Sequence, residues 1–205
     1  MVESREFVDQ IDRQSLAILR SMLGETWGGF FANEPQQIPG HYLAWDSVGI
    51  QLDRSCVTVN NNINDLVIYD DFDTDVGHLE VETLHTYSST DEDAKLHAPF
   101  AGQPIRDIHV VRSNVRCFIR GLLSWTLSSD FGLVIELDTG HVAIAKTMPG
   151  GVWLDVLVAD ALENIDLSMA SRFWLNDDGD VEDPDTGERF EVRVALVPVR
   201  ELVGD

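Results

Sequence analysis

Cysteine and lysine are both scarce in this chain, and each scarcity excludes something. Cys56 and Cys117 are the only cysteines among 205 residues. Two distant thiols make neither the disulfide framework of a small secreted domain nor a cysteine-rich zinc site. Lysine occurs only as Lys95 and Lys146, and 14 basic residues face 36 acidic ones, for a formal net charge of -22. Such a charge repels nucleic acid and anionic membranes and attracts basic partners, so no nucleic-acid and no membrane interaction is expected. An Asp-rich, Lys-poor surface also arises from adaptation to high salt, so the charge by itself does not establish a partner. No apolar run is long enough to cross a bilayer. The start, Met1-Val2-Glu3-Ser4-Arg5-Glu6-Phe7, has neither the basic opening nor the apolar core of a signal peptide. A cytoplasmic location is the expectation.

Recognisable catalytic and ligand motifs are also missing. There is no G-x-S-x-G elbow, Walker loop or dinucleotide glycine pattern. The histidines, His41, His78, His85, His97, His109 and His141, form no H-x-x-x-H or H-x-H pair. A zinc site would have to be assembled by the fold, and no cofactor is expected.

What is present is alternation. From Asp130 to Val158, Leu133, Ile135 and Leu137 alternate with Val134, Glu136 and Asp138, and Val142 and Ile144 continue the pattern. Asp138-Thr139-Gly140 and Met148-Pro149-Gly150-Gly151 supply turns, so this stretch reads as three strands in a meander. Ser47–Tyr69 repeats the pattern at a constant spacing. Ile50 matches Ile135, Leu52 matches Leu137, Asp53 matches Asp138 and Val57 matches Val142. Val48 and Val59 correspond to Leu133 and Ile144, and Val67 and Asp70 to Val152 and Asp155. A duplicated meander is one explanation; the period-two pattern shared by all meanders is the other.

Around this frame, Phe7–Leu23 has helical spacing, with Ser4 as N-cap and Gly24 as stop. Glu25–Gly40, with Gly28-Gly29, Pro35 and Pro39, reads as a loop pinned to the core by Trp27, Phe30 and Phe31. His78–Leu84 reads as a half-buried strand. Arg106, Arg112, Arg116 and Arg120 fall in strand-like sequence, where pairing with the chain's own acids outweighs an anion site. Ala159–Ala170 fits a short helix or a strand continuation, Arg172–Leu175 a short strand, and Arg189–Val199 a closing strand that Pro198 marks as an edge. The expected architecture is mainly β (α+β): antiparallel meanders in a sandwich or barrel-like domain with an N-terminal helix packed on it. Residues 1–205 read as a single domain. Pseudo-repeat halves would fall at 41–87 and 105–170, and the C-terminal strands at 172–200.

Two acidic stretches are the candidate sites. Asp70, Asp71, Asp73 and Asp75 form one, and Asp177, Asp178 and Asp180 lie in the other. Asp71, Asp73, Asp75 and Glu82 stand at positions one, three, five and twelve, as in a calcium-binding EF-hand loop, but Gly77 misses the sixth position. A solvated turn is favoured over calcium there. Three function classes fit. The first is a non-enzymatic acidic protein that binds a basic one, in the manner of a bacterial immunity protein or antitoxin; that likeness is compositional. The second is a calcium- or small-ligand-binding β module. The third is an enzyme with a site assembled from distant residues such as Asp46, Asp130, His109 and His141. A deep pocket with convergent His and Asp would favour the third.

Overall fold

The computed structural model describes residues 4–33, 38–69, 72–84, 94–147, 152–172, 174 and 187–202. Its elements in chain order are β1 (Arg5–Asp9), α1 (Arg13–Ser21), β2 (Trp27–Ala32), β3 (His41–Trp45), β4 (Ser47–Leu52), β5 (Cys56–Tyr69) and β6 (Phe72–Leu84). After these come β7 (Lys95–His97), β8 (Asp107–Ile119), β9 (Leu122–Glu136), β10 (His141–Lys146), β11 (Trp153–Ala159), a 3-10 turn (Leu162–Asn164), α2 (Met169–Arg172) and β12 (Glu188–Pro198).

The strands form two sheets, antiparallel throughout except for β1. The larger runs β12-β8-β9-β10-β11-β3, and the smaller β6-β5-β4-β2-β7. Each sheet keeps two edges, so neither is a closed barrel. The chain passes from one sheet to the other at Asp46, between β3 and β4. Asp46 has φ 52°, a left-handed conformation that Asp tolerates better than most residues. Its N–H donates to Val152 O, and its carbonyl accepts from Asn61 N–H. One buried cluster draws on both sheets and on α1: Ile50, Val57 and Phe30 from the smaller sheet, Ile135, Val142 and Leu154 from the larger, and Leu16, Leu19 and Met22 from the helix.

β9 is long enough to take two neighbours along one edge. Trp125 to Ser129 pair in parallel with β1 (Arg5 to Asp9), and Gly132 to Glu136 pair antiparallel with β10 (Ala145 to His141). The C-terminal ends of β1 and β10 therefore meet beside Asp130 and Phe131. We call this junction the fork.

The two hairpins aligned in the sequence share one register. Ile50 pairs with Val57 and Val48 with Val59; Ile135 pairs with Val142 and Leu133 with Ile144. The turns close alike, Leu52 N–H donating to Ser55 O and Leu137 N–H to Gly140 O. All eight paired side chains are buried in the shared cluster. The third strands do not correspond. Val67 lies inside β5, whereas its match Val152 precedes β11, and Asp70 falls outside the described residues.

Several local expectations change. The helix begins at Arg13, not Phe7, and its N-cap is Asp12, whose carboxylate accepts from Ser15 N–H at 2.6 Å. Phe7 instead belongs to β1, where its ring meets Trp125 edge-on at 6.4 Å. The spacing of Phe7 to Ile11 suits a helix, but pairing with the open edge of β9 prevails. Gly24, with φ 85°, does end the helical region. Trp27–Ala32 is strand β2 and not a loop. Its Gly-Gly pair accommodates a bulge between Trp27 and Gly29, and Trp27 and Phe30 are fully buried. Residues 169–172 are helical, so the strand expected from Arg172 does not begin there. The first acidic stretch, expected as a solvated turn, is strand β6 from Phe72 onward. β12 is an edge strand ending at Pro198, as expected.

The shared register makes a direct prediction. Ile135→Ala removes a fully buried side chain and should lower unfolding free energy by about 2–5 kcal/mol in a denaturant titration. Wild-type stability would contradict the register.

Candidate functional site

Two constellations stand out: the buried charges at the fork, and a cavity at the far edge of the larger sheet.

At the fork, Lys146 is 1% exposed, Asp9 6% and Asp130 1%. Lys146 Nζ lies 3.4 Å from Asp9 Oδ2 and donates to the carbonyl of Gly77 on β6. Asp9 also accepts from Ser129 Oγ at 3.1 Å and pairs with His78 Nδ1 at 2.8 Å. Asp130 accepts from Ile11 N–H at 2.9 Å and holds Arg112 through Nε at 2.7 Å and Nη2 at 3.1 Å. The network thus joins β1, β9 and β10 of the larger sheet to β6 of the smaller one. Buried charges persist only when paired and hydrogen-bonded, and here each charged group has such partners. Burial alone would raise the Asp9 carboxyl, but the His78 hydrogen bond and the Lys146 charge hold it below its ordinary value. The hydrogen bond to Asp9 raises His78, against the opposing effect of burial. Burial pushes the Lys146 ammonium down, against the pull of Asp9. These contacts hold elements of both sheets together.

The cavity is built on β3 and β11, which pair Trp45 with Trp153, Leu43 with Asp155 and His41 with Leu157. Ala44, Leu154 and Val156 point into the shared cluster, so the alternate residues His41, Leu43, Asp155 and Leu157 occupy the opposite face. There Leu157 and Ala159 pack with Leu162 and Ile165 of the crossing segment. This segment and the lip Ile38–Gly40 bound a cavity of about 450 Å³ whose polar lining is His41, Thr147, Asp155, Asn164 and Asp166. Gly40 is required at the lip. It has φ 75°, and a Cβ there would stand 2.5 Å from Val158 O. The lip is fastened by Val158 N–H donating to Gly40 O at 2.7 Å.

His41 Nε2 lies 2.9 Å from Asp155 Oδ1. The contact is off the line of a hydrogen bond, and Nε2 is a buried ring nitrogen with no aligned partner. Thr147 Oγ1 is committed to Trp153 O at 3.3 Å. That bond occupies the one hydroxyl that the described lining contributes.

Of the acidic residues singled out in the sequence, three fall on one described strand. Asp70, Asp71, Asp177, Asp178 and Asp180 lie outside the described residues. Asp73 and Asp75 fall on β6 opposite Val67 and Asp65, and Glu82 lies on the same strand opposite Thr58. From Asp73 to Glu82 a strand extends roughly 30 Å, whereas an EF-hand wraps its positions around one ion. Glu82 accepts from Asn60 Nδ2 at 3.1 Å. No group of three or more metal-ligating side chains occurs among the described residues. Of the candidates for an assembled site, Asp130 is bound to Arg112 and Asp46 forms the corner between sheets. His109 lies on β8 and His141 begins β10. Three of the four arginines pair with acids: Arg106 with Asp138, Arg112 with Asp130 and Arg116 with Glu191. Sequence reasoning missed Lys146, Asp9, His41 and Asp155 as interacting groups. The available signal for Lys146 was its place at the end of Val142–Ala145, an unbroken buried run.

No protein-family model, curated protein or solved structure matches the chain. Among the described residues, no helix is long and apolar enough to cross a membrane.

The fork generates a pH prediction. Because His78 is raised above 6.5 in the folded state, its contribution is complete below that value and is lost as pH rises through the folded-state pKa. Wild-type melting temperature should fall as pH rises above 6.5, and His78→Gln should remove part of that fall. Identical pH profiles for the two proteins would show that the His78–Asp9 contact is not stabilising.

Proposed function

We propose that this protein is a non-enzymatic acidic binding protein whose macromolecular partner is basic, an immunity- or antitoxin-like neutraliser being the nearest functional type. The observation that carries this reading is the β5–β6 ribbon. From Asn60 to Leu84 the sequence holds Asp65, Asp70, Asp71, Asp73, Asp75, Glu80 and Glu82, with no lysine or arginine. β4 pairs with β5 only as far as Asn60. Beyond that point β5 pairs only with β6 among the described residues. A two-stranded acidic ribbon at the edge of a sheet supplies a concentrated negative field for a basic surface to approach.

The cavity at β3 and β11 favours a second reading, a small-ligand-binding β module. The contact of His41 with Asp155 is the observation behind it. Convergent His and Asp in one cavity equally support an enzyme with a site assembled from distant residues.

The first reading is tested by association kinetics with a basic protein captured from the native cell at low salt and eluted by salt. Association should slow steeply as the Debye length falls from roughly 10 Å at 0.1 M salt to roughly 3 Å at 1 M, while dissociation changes less. Neutralising Asp71, Asp73 and Asp75 together to Asn should slow association by about tenfold or more. An association rate indifferent to salt and to these substitutions would remove the reading.

A further inference from the structure

We infer that the cavity between β3, β11 and the 3-10 turn is a binding site for a small organic cation with a short apolar body. The proposal does not depend on the β5–β6 ribbon or on any macromolecular partner.

Charge is the first argument. The polar lining contains the carboxylates of Asp155 and Asp166 and no lysine or arginine. The sequence from Trp153 to Ser168 adds Asp160 and Glu163 and again no basic residue. Both added acids are exposed, Asp160 just before the 3-10 turn and Glu163 within it. Asp155 is a poorly solvated carboxylate, its side chain 19% exposed, and among the described residues the His41 ring is its one ion-pair partner. A carboxylate withdrawn from water is stabilised by a cation, and no Lys or Arg in the lining provides one.

Unsatisfied hydrogen bonding is the second argument. His41 Nε2 is buried without an aligned partner although Asp155 Oδ1 is 2.9 Å away. The misaligned ring leaves the acceptor-only carboxylate of Asp155 short of donors, and a ligand ammonium supplies them.

Shape and polarity are the third. Leu157, Ala159 and Ile165 give the cavity an apolar wall, and its volume of about 450 Å³ falls in the range of small-molecule sites, roughly 300–1,000 Å³.

The test is titration of the intact protein, followed by heteronuclear NMR, with phenethylammonium, its neutral analogue 2-phenylethanol, and the anion 3-phenylpropionate. The cation should shift Gly40, His41, Asp155 and Ile165 signals saturably, and bind at least tenfold tighter than the alcohol, with no binding of the anion. Asp155→Asn should weaken the cation at least tenfold. Asp166→Asn, which retains an acceptor for the Ser168 N–H now bound at 2.9 Å, should weaken it without disturbing the fold. That second variant keeps the test decisive if Asp155→Asn unfolds. Equal binding of cation and alcohol would reduce the cavity to an apolar pocket and overturn the proposal, as would no saturable shift.

Discussion

The structure depends on how the ends of β1 and β10 are accommodated on one edge of β9. Where two strands abut along a third, backbone groups lose their regular partners, and buried unpaired groups are costly. Side chains resolve the problem here. Asp130 accepts the Ile11 N–H just past β1, and Ser129 and Lys146 meet at Asp9. Lys146 reaches onward to the Gly77 carbonyl of the opposite sheet. One of only two lysines in a chain of net charge -22 is thus withdrawn from the surface.

The fork positions the elements on either side of it. With β1 held to β9, α1 starts at its Asp12 cap and lies where Ser15 Oγ accepts the Val81 N–H of β6 at 2.9 Å. Arg20 on the same helix donates to Val199 O at 2.9 Å, tying the helix to the chain after β12. With β10 held in register, β11 and β3 extend the sheet to its far edge, and the alternation that buries Leu154 and Val156 turns Asp155 and His41 outward into the cavity.

The meander was legible in the sequence because β9, β10 and β11 alternate strongly and are separated by Asp, Gly and Pro. The shared register of the two hairpins came from the same positions. The N-terminal segment misled because Phe7 and Ile11 satisfy a helical spacing while tertiary pairing makes Phe7 a strand residue; single-segment periodicity cannot weigh an unseen neighbour. Trp27–Ala32 misled because Gly28-Gly29 looks like a break, whereas a bulge uses those glycines inside a strand. His41 and Asp155 meet only through the pairing of β3 with β11, and Asp9 meets Lys146 only through the fork. Both contacts join residues distant in sequence, so no local pattern could display them.

The central claim is that the fork charges act as a unit, and a double-mutant cycle tests it most directly. Unfolding free energies would be measured for wild type, Asp9→Asn, Lys146→Met and the double variant. Each single change takes one buried charge from its counter-charge and should cost up to about 3–5 kcal/mol. The double variant should lose clearly less than the two costs combined, because the remaining pair is neutral on both sides. Costs that add to within about 0.5 kcal/mol would show that the two residues are energetically independent, and would contradict the account.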